Sequence, residues 1–211
     1  MKWEGSKSDR NGALMKLKCV IFDLDGTIVD VPYDWDKIKA ELGTQGKPIL
    51  YYLDSLEEPE KSEKWKILEK YENEATRKAE LKPGMHKLLD LLNKNGIKKA
   101  VVTNNSRKNV AYLLTKFKLN FDYIISRESG LWKPSGAPFL EVMKKLGLKR
   151  EECSVVGDSP FDVKAANEAG ISKVFILSEN KEKFASTGAE FISSVESLIK
   201  RIEQLINMDY S

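Results

Sequence analysis

Asp23 and Asp25 stand two positions apart where the apolar run Val20-Ile21-Phe22 gives way to Gly26 and Thr27. Residues two apart on an extended strand point to the same side, so both carboxylates are expected to enter one small space. Two ionised carboxylates about 4 Å apart repel by roughly 4 kcal/mol at an effective dielectric near 20, a cost that a fold normally carries only with a cation or a proton between them. The same grammar returns far along the chain, where Cys153-Ser154-Val155-Val156 runs into Gly157-Asp158-Ser159-Pro160-Phe161-Asp162. Asp162 follows Asp158 by one helical turn, close enough for both to reach a common ion. Asp23, Asp25, Asp158 and Asp162 are therefore candidate ligands. Acidic oxygens without a Cys or His cluster select a hard cation, and Mg²⁺ suits one or two carboxylates completed by phosphate oxygens. The single histidine, His86, follows Pro83-Gly84 at an expected helix start, which removes His-based triads and His-assisted zinc chemistry.

Two further segments fit an anion beside that ion. Lys99-Ala100-Val101-Val102 ends in Thr103-Asn104-Asn105-Ser106 and is followed by a helical pattern from Arg107 to Lys118. Thr103 offers a hydroxyl, and the turn offers backbone N–H groups at a helix start, where a phosphate finds free donors. Ser106 or Asn105 serves as an ordinary N-cap in the same place. Lys133, in Gly130-Leu131-Trp132-Lys133-Pro134, precedes a proline just before another helix.

Taken in order, Asp23-Leu24-Asp25-Gly26-Thr27, Thr103-Asn104, Lys133-Pro134 and Gly157 to Asp162 resemble the four signatures of the haloacid dehalogenase-like hydrolases, on their phosphatase side. The resemblance implies that Asp23 is a nucleophile taking up a phosphoryl group and Asp25 the general acid and base. It implies that Thr103 and the backbone of Asn104 hold phosphate oxygens and that Lys133 neutralises the nucleophile and the phosphate. It further implies that Asp158, Asp23 and the Leu24 carbonyl ligate Mg²⁺, with Asp162 orienting that shell. An aspartyl-phosphate splits one hard displacement into two, and Asp25 must give a proton in the first and take one in the second. Dehalogenating relatives have no leaving oxygen to protonate and typically carry another residue at the second acidic position, so Asp25 favours phosphoryl chemistry. One departure stands out: Ser135-Gly136-Ala137-Pro138 follows Lys133-Pro134, where many relatives have a short polar residue and a second proline.

The elements that must position these residues alternate. Strands are expected at Cys19–Leu24, Ile97–Thr103, Phe121–Ser126, Ser154–Asp158 and Val174–Leu177, with a short edge strand near Ala189–Ile192. Helical patterns lie between them at Met85–Asn95, Arg107–Lys118, Pro138–Leu146 and Phe161–Ala169. This is the α/β pattern of a doubly wound parallel sheet, a Rossmann-like core whose ligands belong at the carboxyl ends of the strands. From Asp30 to Lys82 the rhythm is helical with no clear strand, and by resemblance residues 31–82 form a small all-helical cap over the substrate, returning through Leu81-Lys82-Pro83-Gly84. Most of its aromatics, Tyr33, Trp35, Tyr51, Tyr52, Trp65 and Tyr71, are expected to build the cap's own core. The catalytic core then comprises residues 15–30 and 83–211, and residues 1–14 are expected to be a disordered extension, with Met15 an alternative start.

Composition agrees with a soluble enzyme. The 211 residues carry a net charge of +3 with Lys and Glu spread throughout, which gives no case for nucleic-acid binding. No apolar run approaches about 18 residues, so no membrane partner or secretory segment is expected. Cys19 and Cys153 lack paired spacing and read as buried thiols of a reducing, cytoplasmic compartment. The expected partner is a small phosphorylated metabolite, met by a monomer or homodimer. The leading expectation is a Mg²⁺-dependent phosphatase similar to phosphoglycolate phosphatases. A phosphomutase similar to the β-phosphoglucomutase branch uses the same residues, and a non-catalytic Mg²⁺-binding phosphoacceptor module is the alternative from another class.

Overall fold

The computed structural model describes residues 16–178 and 187–208. The expected N-terminal extension and Met15 lie outside the described residues. Among the described residues, six strands form one parallel sheet in the order β5-β4-β1-β6-β7-β8. They are β1 (Cys19–Phe22), β4 (Lys98–Val102), β5 (Tyr123–Ile125), β6 (Cys153–Gly157), β7 (Lys173–Leu177) and β8 (Glu190–Ile192). A parallel strand covered on both faces needs apolar side chains at every position, and every residue of β1 and β6 is buried.

The alternation of side chains sorts β1 between two cores. Val20 and Phe22 join a cluster completed by α4 (Met85–Lys94), α5 (Arg107–Lys116) and α8 (Val195–Met208). Cys19 and Ile21 face the opposite cluster, built with α6 (Ala137–Leu146) and α7 (Pro160–Glu168). Helices on both faces complete the doubly wound architecture expected from the sequence. β1 lies between β4 and β6 in register, with Phe22 opposite Val101 on one side and Val156 on the other. The carboxyl ends of these three strands therefore meet at one level. The Asp23 N–H donates to the Val156 carbonyl at 2.9 Å, so the first acid is fixed beside the end of β6.

Between β1 and α4 three helices are inserted: α1 (Trp35–Leu42), α2 (Ile49–Asp54) and α3 (Glu60–Arg77). They enclose a separate apolar cluster of Ile38, Leu42, Leu50, Leu53 and Leu68, with Tyr33, Tyr52, Trp65 and Tyr71 packed around it. Most of the aromatics thus fill the insertion's own interior, whereas Trp35 and Tyr51 are exposed. The sequence shows no strand in this region, but the structure has a two-residue antiparallel pair at the insertion's base, β2 (Val29–Asp30) against β3 (Glu80–Leu81). Two-residue strands are too short to carry an alternating pattern, which is why they were not read from the sequence. No helix among the described residues is long and apolar enough to cross a membrane.

Candidate active site

Three acids from the ends of β1 and β6 share one space. Asp23, Asp158 and Asp162 each bring a carboxylate oxygen within 4.8 Å of the others. Asp162 is fully buried in the first turn of α7, where one oxygen accepts from the Asp158 N–H at 3.3 Å, the Ser159 N–H at 3.1 Å and the Ser159 hydroxyl at 2.7 Å. This capping arrangement satisfies the helix start and fixes the acid. Its other oxygen accepts from Lys133 Nζ at 2.6 Å, and the same ammonium lies 2.7 Å from Asp23 Oδ1. Lys133 is 3% exposed. Burial alone would lower its pKa, but Asp162 and Asp23 outweigh that and hold it above the ordinary lysine value.

Burial acts on the acids in the opposite sense, favouring their protonated form. Burial lifts Asp23 to about 7 against the pull of Lys133, with Asp162 and Asp25 adding to the rise. Burial and then the charges of Asp23 and Asp162 lift Asp158 to about 8. Three carboxylates against the single Lys133 ammonium leave the cluster short of positive charge, and all its metal-facing groups are hard oxygens. It fits Mg²⁺, which Asp23 and Asp158 would hold with Asp162 behind them.

Asp25, counted among the metal ligands from the sequence, stands outside this group. Both its oxygens accept from Asn105 Nδ2, at 3.1 and 3.0 Å, and the Thr103 hydroxyl approaches at 3.5 Å. Burial raises its pKa to about 6, while the Asn105 hydrogen bond restrains the rise and the charge of Glu72 adds to it. The reading of Leu24 as a carbonyl ligand is also corrected. Its oxygen accepts from Thr27, Ile28 and Val29 N–H at 3.3, 2.9 and 3.1 Å, so it closes the turn after β1 and is not free for an ion. Gly26 sits in that turn at φ +83°, and a Cβ there would fall 2.1 Å from Asp158 Oδ2. Only glycine permits both the left-handed backbone and the approach of Asp158.

Thr103 and Asn104 follow β4 as expected, beside Asp25 and Lys133. The Asn105 N–H donates to Thr103 Oγ1 at 3.0 Å. Asn104 fastens the Lys133 backbone from both sides: its Nδ2 donates to the Lys133 carbonyl at 2.9 Å and its Oδ1 accepts the Lys133 N–H at 3.0 Å. The unusual loop after Lys133 has a packing reason. A Cβ on Gly136 would lie 2.7 Å from the Ala169 nitrogen, so the loop rests directly on the end of α7, the helix that carries Asp162. His86 is exposed at the start of α4, away from this chemistry.

Four neighbours were not identified as site residues from the sequence. Asn105, read there only as an N-cap, grips Asp25, and Ser106 is the N-cap of α5 instead. Tyr33 accepts from Asn105 Nδ2 at 3.1 Å. Glu72 of α3 pairs with Arg127, whose Nε donates to the Asn104 carbonyl at 3.1 Å. The run Thr103-Asn104-Asn105-Ser106 held a signal for Asn105; Glu72 and Arg127 lie in ordinary charged surroundings that held none.

Comparison with known proteins gives the same picture. A family model of haloacid dehalogenase-like hydrolases matches residues 31–176. That span includes Thr103, Lys133 and Asp158 but begins after Asp23 and Asp25. An uncharacterized hydrolase of Saccharomyces cerevisiae is 32% identical over 205 residues, covering 93% of this chain and 94% of that protein. A phosphoglycolate phosphatase of Pseudomonas savastanoi is 34% identical over 187 residues, 74% of this chain and 68% of its own. The solved structure of a hydrolase from Pseudomonas syringae superposes with a TM-score of 0.75 at 21% identity, over 89% of this chain and 98% of that one, a likeness of fold.

Proposed function

The chain belongs to the haloacid dehalogenase-like hydrolase family and is an enzyme, and we propose that it hydrolyses a small phosphomonoester in the presence of Mg²⁺, by way of a phosphoryl group carried on Asp23. The relative named phosphoglycolate phosphatase supports this class of reaction. The observation that carries the reading is the division of labour among the acids. Asp23 touches a buried ammonium and shares its space with two further carboxylates, whereas Asp25 is kept apart on Asn105.

In the first step a carboxylate oxygen of Asp23 forms a bond to phosphorus as the ester P–O bond breaks, and Asp25 gives its proton to the departing alcohol oxygen. Lys133 reduces the repulsion between the carboxylate and the phosphoryl oxygens. In the second step Asp25, now ionised, takes a proton from water while the water oxygen bonds to phosphorus. The bond to Asp23 breaks, inorganic phosphate leaves and the carboxylate is restored. A pKa near 6 suits an acid that works in both directions close to neutrality. Bound between Asp23 and Asp158, Mg²⁺ would supply positive charge to the phosphoryl oxygens.

The test is release of phosphate from para-nitrophenyl phosphate with MgCl₂ and with EDTA. Hydrolysis is expected only with Mg²⁺, and a drop of at least about a thousandfold in Asp23→Asn with the fold retained, since that substitution removes the nucleophile. Undiminished turnover in Asp23→Asn, or none in the unaltered protein, overturns the proposal.

A further inference from the structure

The inserted helices present to Asp25 a polar face that the phosphoryl chemistry above does not use. Glu72 and Thr76 lie one turn apart on α3 and are 4% and 1% exposed. One Glu72 oxygen accepts from the Arg127 guanidinium. The other, Oε2, is sealed from solvent with no hydrogen-bond partner among the described residues. Thr76 Oγ1 is equally sealed and lies close to the Tyr33 hydroxyl. Tyr33 in turn shares Asn105 with Asp25. Thr76 and Tyr33 thus lead from Glu72 to the Asn105 side chain that holds Asp25, and the charge of Glu72 raises the pKa of both Asp25 and Tyr33.

This carboxylate cannot readily swing away. Arg127, its partner, packs over the Trp65 ring at 5.2 Å and donates through Nε to the Asn104 carbonyl. The Arg127 carbonyl accepts from Trp132 Nε1 at 2.7 Å. A buried acceptor held rigidly and left open is costly unless a donor arrives, and a carboxylate can only accept.

We propose that Glu72, assisted by Thr76 and Tyr33, selects the leaving group, and that the substrate is the phosphate ester of a polyhydroxylated alcohol, a sugar or polyol, one of whose hydroxyls donates to Glu72 Oε2. This rests on the phosphatase reading above and narrows it. An ester bearing a carboxylate, such as phosphoglycolate, meets the negative charge of Glu72 in that space. The guanidinium that could answer it, Arg127, is already engaged by Glu72. Discrimination comes from a repulsive element as much as from the new hydrogen bond. The reading thus departs from the substrate in the name of the Pseudomonas relative.

The experiment compares kcat/KM for glycerol phosphate, a pentose phosphate, a hexose phosphate and phosphoglycolate, with para-nitrophenyl phosphate as the reference ester. In the unaltered protein the best hydroxylated ester is expected to exceed phosphoglycolate by at least about a hundredfold, a floor below the roughly ten-thousandfold by which a site built for a hydroxyl rejects a ligand without one. Glu72→Gln keeps the volume and one acceptor for Arg127 but removes the charge. It is expected to narrow that ratio at least about tenfold, by lowering the hydroxylated ester and raising phosphoglycolate. A purely structural Glu72 would scale all esters by one factor, and an unchanged ratio in Glu72→Gln overturns the proposal. Should that variant not fold, the ranking in the unaltered protein decides: phosphoglycolate equal to or above the hydroxylated esters overturns it. If para-nitrophenyl phosphate is cleaved and the ranking is reversed, only this proposal falls. If no ester is cleaved, the phosphatase reading fails and takes this one with it.

Discussion

Replacing Lys133 by Met removes one buried positive charge while nearly keeping the shape of the side chain. The ammonium stands 2.7 Å from Asp23 and 2.6 Å from Asp162, and at an effective dielectric near 20 each contact is worth roughly 6 kcal/mol of gross attraction. Much of that gross term is offset by taking the charges out of water, so the relevant quantity is what remains when one partner of a buried set is deleted, about 3–5 kcal/mol. In Lys133→Met three carboxylates within 4.8 Å of one another would face each other without an ammonium. They can relieve the repulsion by binding protons, which makes the loss dependent on pH. The assay is urea unfolding in EDTA. At pH 8 the variant is expected to lose about 3–5 kcal/mol with an unchanged m-value, and at pH 6 distinctly less. Added Mg²⁺ should restore part of the loss, and phosphate release should fall by at least about a hundredfold. A variant within about 1 kcal/mol of the unaltered protein at pH 8 in EDTA would refute the account of what holds these acids together.

Two further outcomes follow from the same geometry. Asp23 and Asp158 are raised to about 7 and about 8, well above the unfolded value of about 3.9, so between about pH 4 and 8 the folded metal-free protein binds more protons than the unfolded chain. Its stability therefore falls as pH rises through that window. Mg²⁺ competes with those protons, so the gap in melting temperature between Mg²⁺ and EDTA should widen from pH 6 to pH 8, at about 2–4 °C per kcal/mol for a chain of this size; a gap independent of pH contradicts this. Gly26→Ala should cost about 1–3 kcal/mol, because it combines a left-handed backbone with a Cβ placed 2.1 Å from Asp158 Oδ2. It should also raise the Mg²⁺ concentration for half-maximal activity at least about tenfold, and unchanged Mg²⁺ activation would show that Asp158 does not need its present position.

The strands that carry the acids are legible because each is a short, mostly apolar run that stops at polar residues, and such runs have few alternatives in a sheet covered on both faces. That is why the sequence alone places Asp23, Thr103 and Asp158 at strand ends. The use of main-chain oxygens was not legible. Nothing in the side chains of Leu24 to Val29 announces that three N–H groups converge on the Leu24 carbonyl. Asn105 was visible only as one of two candidate caps, and its grip on Asp25 depends on how far β4 runs past β1. Glu72 and Arg127 are 55 positions apart and meet only because the inserted helices fold back over the sheet, a distance that no local pattern spans.

The place of β1 between β4 and β6 bears on how the protein comes into being. A ribosome delivers Asp23 early, Thr103 and Lys133 later, and Asp158 and Asp162 last of these. Because the neighbours of β1 are both supplied by distant parts of the chain, its pairing on the β6 side must wait for synthesis past the middle 150s. Until then the nascent polypeptide holds Asp23 without Asp158 and Asp162, and the cluster of three acids cannot assemble.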